Sequence, residues 1–311
     1  MTQGGANLHA AGDRPATGPV TGSVADAAPP TDSAAPPPRV TVVGSLNVDL
    51  VCDVATLPLP GETITGGPLR TQPGGKGANQ AVALARLGLR STMVGCVGED
   101  EHGRLLVESL SGQGVDVTGI RRSSSPTGTA MILVEESGQN QIVVSPGANA
   151  DVTVAGIDLD EPDAVLCQLE IPLDVVHAAA QRASGLVCVN AAPARSLPED
   201  LVELVDLFIV NETEFSAIPF LTHAQSVAVT LGSRGAVLLE RGRQVAAAAA
   251  PTVTVVDTVG AGDAFCAALV AGLLLGHAAE HALQLACRAG ALAVTVPGAQ
   301  SPLPRFEELN Q

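Results

Sequence analysis

Short, almost wholly apolar runs recur along the chain from Val40 onward, at residues 40–43, 92–97, 164–169, 186–190, 207–210 and 226–231. Ala- and Leu-rich segments of helical length lie between them. Strands apolar on both faces, alternating with helices, predict a doubly wound α/β fold with a mainly parallel sheet and helices on both sides. Two stretches break the rhythm. Residues 49–71 carry Pro58, Pro60 and Gly61 between short extended pieces, and 129–145 reads as two strands, 130–134 and 141–144, around a polar turn at 136–140. Both predict a small β-sheet lid, with segments at about 50–73 and 128–146, placed to cover a site.

Residues 1–38 have no such pattern. Rich in Pro, Gly and Ala and nearly free of bulky apolar side chains, they read as a disordered tail that cannot bury enough surface to offset its ordering entropy. Residues 39–311 then suit one large α/β domain. The tail lacks a basic start followed by an apolar run, so it does not read as a secretory signal, and the expected location is cytoplasmic. The longest apolar stretch, 264–275, is too short to span a bilayer, so no membrane partner is expected. A net charge of -16 argues against a nucleic-acid partner, because such binding relies on Lys and Arg to displace counterions. The six cysteines have no C-x-x-C pair and sit in apolar runs, which suits reduced core thiols.

In open α/β sheets ligands sit beyond the carboxyl ends of the strands. Asp257-Thr258-Val259-Gly260-Ala261-Gly262-Asp263 follows a run at 253–256, read as a strand, and opens the apolar helix 264–275. Small residues there allow backbone amides to reach a phosphate, and the helix N-terminus adds partial positive charge. Asp263 is either a helix N-cap or the base that takes a proton from an attacking hydroxyl. Gly74-Gly75-Lys76-Gly77-Ala78-Asn79-Gln80 is a second Gly-rich turn into a helix, but Gly77 stands where a Walker A loop requires Ser or Thr. Lys76 and Asn79 offer a cation and an amide suited to a polyhydroxylated sugar; the bland reading is a structural turn. Asn47 and Asp49, two apart, share one face of an extended segment, where they either hold neighbouring hydroxyls or serve as turn residues. Glu170 ends the run at 164–169. Asn211 to Glu214 and Thr230 to Gly235 each follow a strand. Glu214 either organises water-bound Mg2+ or complements a helix dipole, and Thr230 and Gly232 are placed to donate to nucleotide phosphates.

Taken together, these motifs resemble the ribokinase-like (PfkB) family of carbohydrate kinases, from about Arg39 to Pro304. Its two signatures resemble residues 74–81 and 257–265, and its N-x-x-E motif resembles 211–214. The match is closest to the ribokinase branch, through Asn47, Asp49, residues 147–150, 168–170, 190–195 and 298–300. The resemblance implies sugar binding by Asn47, Asp49, Gly74, Gly75, Lys76, Asn79 and Glu170, with Asp263 as base. It assigns ATP to Asn211, Glu214, Thr230, Gly232, Gly235, Gly260, Ala261 and Gly262, with Mg2+ held through water on Glu214. It further implies activating K+ beside Asp257, Val259, Ala293, Val296 and Gly298, and a homodimer joined through the lid. The expected reaction is ATP-dependent phosphorylation of the primary hydroxyl of a small sugar, D-ribose to D-ribose 5-phosphate. A nucleoside or other sugar kinase of the family, or a non-catalytic ligand-binding relative, is the alternative.

Two departures from the family pattern stand out. The 15 residues Phe215 to Val229 are short for a helix plus a strand, which predicts a missing helix and an apolar sheet face left bare. Pro302 stands where the family commonly has a cation-binding serine, with Ser301 one residue early, which predicts a weaker K+ site.

Overall fold

A computed structural model describes residues 36–135, 137 and 139–310, so the tail reading lies outside the described residues up to position 35. The first half of the chain runs β1 (Arg39–Val43), β2 (Asn47–Val54), β3 (Arg70–Gly74), α1 (Lys76–Arg86), β4 (Arg90–Gly98), α2 (Glu101–Gly112), β5 (Asp116–Ser123), β6 (Gly128–Glu135) and β7 (Asn140–Ser145). The second half runs β8 (Ala164–Gln168), α3 (Leu173–Arg182), β9 (Leu186–Asn190), α4 (Glu199–Leu204), β10 (Leu207–Asn211), α5 (Glu212–Ala217), β11 (Ser226–Thr230), β12 (Ala236–Glu240), β13 (Arg243–Ala248), α6 (Ala261–Leu274) and α7 (Ala279–Ala293).

Nine strands form one sheet in the order β13-β12-β11-β10-β9-β8-β1-β4-β5, parallel from β11 to β5 and antiparallel where β12 and β13 close one edge. One apolar layer packs α1, α2, α6 and α7 against it through Leu84, Leu106, Phe265 and Leu285; the other packs α3 and α4 through Val176 and Leu201. This is the doubly wound α/β arrangement that the alternating pattern predicts. The second sheet, β3-β2-β6-β7, has its own small cluster of Val51, Ala130 and Ile132. Among the described residues no helix is long and apolar enough to cross a membrane.

Two sequence expectations fail. Residues 253–256 do not form a strand: they pass the end of α7 outside any ladder, with Val256 N–H donating to Val294 O at 2.7 Å and both Val255 and Val256 exposed. Nor is the sheet face beside 215–229 bare. After the short α5, a 3-10 turn at Pro219–His223 folds back so that Ile218, Leu221 and Ala224 are buried in the same cluster as Val227 and Val229, which are 1% and 4% exposed. One and a half turns of helix and a 3-10 turn thus do the covering that was expected of a full helix.

Leu221 is fully buried and its neighbour Phe220 is 49% exposed, so the two side chains separate covering from bulk hydrophobicity. Leu221→Ala is expected to cost about 2–5 kcal/mol and Phe220→Ser under about 0.5 kcal/mol. Urea unfolding of both variants measures this, and equal small losses would show that the turn does not cover the sheet.

Candidate active site

The chain crosses from the large sheet to the small one in three residues, Gly44-Ser45-Leu46, and this brings the start of β2 over the carboxyl ends of β1 and β8. Asn47 and Asp49 lie on one face of β2 and are both buried. Gly75 adopts φ +90°, a region that favours glycine, and a side chain there would press on the backbone of Asn47. The turn therefore starts α1 with Lys76 beside the root of the lid. Gly74 does not line the cavity: it lies under Asp49, whose carboxylate fills the space a Cβ would take.

The same logic places Asn47. Asn149 accepts from Leu46 N–H at 2.9 Å and donates to Leu46 O at 3.1 Å and to Asn47 Oδ1 at 2.7 Å, which leaves the Asn47 amide N–H groups for the cavity. Gly128 must lack a side chain to let that pair in. Glu170 accepts from Ser45 Oγ at 2.5 Å and from Lys76 N–H at 3.2 Å.

Gly260 takes a left-handed conformation, φ +79°, against the Ala299 carbonyl and turns the chain into α6. No side chain caps that helix; Ala261 N–H turns to the Thr258 carbonyl at 3.4 Å, and the next amides, of Gly262 and Asp263, are left for an anion. Asp263, in its first turn, is buried and accepts from Asn79 Nδ2 and Gln80 Nε2, each at 2.9 Å. Burial pushes the Asp263 carboxyl up, and Lys76 with the two amides acts the other way. Burial by itself would lower Lys76, yet the carboxylates of Asp263, Glu170 and Glu214 outweigh it and raise the group, so the ammonium stays charged. Asp49 is pushed up to about 7, first by burial and then by the charges of Glu170 and Asp263.

These groups enclose a cavity of about 350 Å³ bordered by Asp49, Lys76, Glu170, Glu214 and Asp263, with Ala130, Ile132 and Ile142 of the small sheet as its outer wall. Beyond it lies a second, mainly apolar cavity of about 470 Å³ between Gly232, Gly235, Val253, Phe265 and Val294. Thr230, Thr258 and Gly262 border both. The open end of α6 therefore stands at the junction of a polar chamber and an apolar one.

A comparison with protein families matches residues 37–305 to the family described as pfkB family carbohydrate kinase. The chain belongs to that family. It is 37% identical to the ribokinase of Bacillus subtilis over 290 residues, 88% of this chain and 98% of the relative. Among solved structures, the ribokinase of Thermotoga maritima superposes with a TM-score of 0.80 at 36% identity, covering 88% of this chain and 98% of that one. A ribokinase of Arabidopsis thaliana complexed with ribose and ATP gives 0.78 at 32%, covering 88% and 98%. The protein is thus a carbohydrate kinase.

In this kinase, Gly232, Gly235 and Ala261 border the apolar cavity, Asn211 and Gly260 the polar one, and Thr230 and Gly262 both. Asn211 and Glu214 form a reciprocal cap on α5: Glu214 N–H donates to Asn211 Oδ1 and Asn211 N–H to Glu214 Oε2, each at 2.8 Å. The helix-terminal reading of Glu214 thus holds geometrically, while its carboxylate still faces the cavity. Asp257 accepts from Val259 N–H at 3.0 Å and Gly298 N–H at 2.9 Å, tying the two loops together. Ser301 is buried with its hydroxyl 3.0 Å from Ala293 O and 3.4 Å from Gly298 O, so the one-residue offset from the family pattern does not remove an oxygen from this place. Val296 is half-buried on the same loop.

Sequence reasoning assigned no role to Ser45, Gln80, Asn140, Asn149, Gln168, Asn190, Thr258 or Cys266, which line the polar cavity or brace its walls. Gln80 carried a legible signal, being a polar residue inside an apolar helical run directly after Asn79. The apolar wall at Val253 and Val255 carried the opposite one, because β-branched residues read as strand.

Asp49 in the unfolded chain ionises near 3.8 and in the folded one near 7. The folded state therefore holds a proton that the unfolded state has lost, and stability contributed at low pH disappears as pH rises through about 7. Three units correspond to roughly 4 kcal/mol. Measured by urea unfolding, the parent should lose a few kcal/mol relative to Asp49→Asn between about pH 4 and about pH 8. Parallel stability curves would contradict the buried, charge-crowded environment of Asp49.

Proposed function

We propose that the protein transfers the γ-phosphoryl group of ATP to the primary hydroxyl of D-ribose, giving D-ribose 5-phosphate and ADP. The observation that carries the reading is the position of Asp263, a buried carboxylate beside open helix amides, where a sugar-sized polar chamber meets an apolar one. Hydroxyls of the sugar are held by Asn47, Asp49, Lys76, Asn79 and Glu170, and the small sheet keeps water away. Asp263 takes the hydroxyl proton as the new oxygen–phosphorus bond forms and the bond to the ADP oxygen breaks. The amides of Gly260 to Asp263 receive the charge on the transferring group. A carboxyl raised by burial stands nearer to working pH, which suits a base. The ribokinase of Arabidopsis thaliana complexed with ribose and ATP supports the choice of sugar.

The residues present also fit two metal ions. Glu214 keeps a carboxylate oxygen clear of its cap and borders the polar cavity, a hard donor suited to Mg2+ through water. Mg2+ would neutralise charge on the phosphate oxygens. Asp257 ties the Val259 and Gly298 loops together and Ser301 Oγ lies against the Ala293 and Gly298 carbonyls, and with the carbonyls of Val259 and Val296 these oxygens would suit K+. K+ would add positive potential beside the anion-binding turn. Met131 and Val143, paired across β6 and β7 on the face opposite Ile132 and Ile142, are exposed, and apolar side chains there support a homodimer joined through the small sheet. The six free cysteines suit a reducing cytoplasmic setting.

ADP release measured across pentoses, hexoses and nucleosides is expected to be fastest with ribose, and Asp263→Asn should lower turnover ~10²-fold or more with nucleotide binding kept. Faster turnover on a nucleoside would replace the sugar assignment, and near-normal turnover of the variant would remove Asp263 as base.

Exchange of K+ for Na+ or a bulky organic cation at fixed ionic strength should lower turnover, and Ser301→Ala should weaken the K+ response. Equal rates in all three salts would show that the turn at Gly260 is held without a cation.

A further inference from the structure

Behind Asp263 lies a chain of side-chain amides that the mechanism above does not use. Gln80 Nε2 donates to Asp263 Oδ1 at 2.9 Å and to Asn190 Oδ1 at 3.1 Å. Gln80 Oε1 accepts from Gln168 Nε2 at 2.6 Å, and Asn190 Nδ2 donates to the Ile209 carbonyl at 3.0 Å. All three amides are buried, Gln80 and Gln168 completely. Gln80 is on α1, while Gln168 and Asn190 are the last residues of β8 and β9 and stand opposite each other in the ladder.

The orientation of every amide follows from its neighbours. A main-chain carbonyl and a carboxylate can only accept, so Asn190 turns its N–H groups to Ile209 and its oxygen to Gln80. Gln80 then has one N–H for Asn190 and one for Asp263, which places its oxygen toward Gln168. The cost is visible at the far end. Gln168 Oε1 is buried without a partner, in space left free because residue 44 is glycine. Turning Gln168 over would satisfy nothing and would set its oxygen against the oxygen of Gln80. A buried polar atom without a partner costs about 1–3 kcal/mol, so the arrangement is kept against a penalty.

We propose that Gln80, clamped by Gln168 and Asn190, is a positioning residue that fixes the plane of the Asp263 carboxylate relative to the attacking hydroxyl. It braces one oxygen while Asn79 braces the other, so the carboxylate cannot rotate about its bond, and its remaining lone pairs face the cavity. The link runs through β8 and β9, the same strands whose ends carry Glu170 and Asn190 toward the sugar chamber. Base and sugar are thus registered to one rigid edge.

This inference rests on Asp263 acting as base, and the two ideas fail separately. Should Asp263→Asn keep its turnover, the base is lost; should Asp263→Asn be impaired while the Gln80 variants are not, only the positioning role is lost. The test is Gln80→Met, which keeps the length of the side chain and removes both donors, together with Gln168→Met, which leaves the contact with Asp263 intact and removes the clamp. Both are assayed for kcat, KM and ADP binding over a range of pH. Besides Gln80, Asp263 is faced by Lys76 and Asn79 from α1, Asp49 from β2, Glu170 after β8 and Cys266 from its own helix, and all stay in place in both variants. Gln80→Met is expected to lower kcat about tenfold or more with KM for sugar and ATP changed under about threefold, and to move the acid limb of kcat to higher pH, because the ionised carboxylate loses a donor. Gln168→Met should change kcat in the same direction by a smaller factor, and Gln80→Glu should not restore it. If Gln80→Met does not fold, judged by ADP binding, Gln168→Met decides alone. A kcat within twofold of the parent and an unmoved acid limb in a variant that binds ADP would overturn the proposal.

Discussion

The site depends on keeping one carboxylate, Asp263, inside the protein. A buried anion is costly by several kcal/mol unless donors and opposite charge surround it, and the neighbouring elements are arranged as that requirement dictates. Asn79 and Gln80 reach it from α1, Lys76 brings an ammonium from the first residue of the same helix, and the start of α6 adds the partial charge of its amides. The compensation is incomplete, because the group stays raised. An imperfectly stabilised carboxylate is what a base needs: full compensation would leave an ion too weakly basic to take a proton near neutral pH.

The two Gly-rich turns follow from the same demand. Both helices must begin at the cavity floor with their N-termini inward, which requires the chain to leave an extended segment and enter a helix within one or two residues. Gly75 and Gly260 do this with positive φ against neighbouring backbone, where a Cβ would clash. The small sheet is coupled to the floor by its roots, since Asn47, Asp49, Gly74 and Gly128 all belong to its strands. A small sheet attached through the residues that line the polar cavity cannot move without moving them, which links closure over the cavity to the placing of its polar side chains.

Much of this was legible in the sequence because it lies in local patterns. Apolar runs spaced by helical segments indicated a mainly parallel sheet with helices on both sides, and glycines before helices marked both turns that border the polar cavity. What stayed hidden has no local signature. Val253 and Val255 of the β-branched run 253–256 wall an apolar cavity, and periodicity cannot distinguish that from a strand. The amide chain joins positions 80, 168 and 190, which become neighbours only through the register of β8 with β9 and the packing of α1. Gly74 makes room for the Asp49 carboxylate, and along the chain such a glycine reads like one that touches a ligand.

The short 215–229 segment shows why a kinase site tolerates an economy so close to it in the chain. Residues along β11 alternate between faces, so Val227 and Val229 join the layer of α3 and α4 while Ala228 joins that of α6 and α7. The helix at stake covers only the first face. The second carries α6, the open helix end and Asp263, and its layer of Phe265, Leu269 and Leu285 takes Ala228 of β11 but no residue of 215–224. Three side chains, Ile218, Leu221 and Ala224, therefore suffice to close the gap without shifting the turn at Gly260 that opens α6. Shortening on the opposite face, between Ala264 and Val294, would have no such freedom, because that segment both covers the sheet and sets where α6 begins.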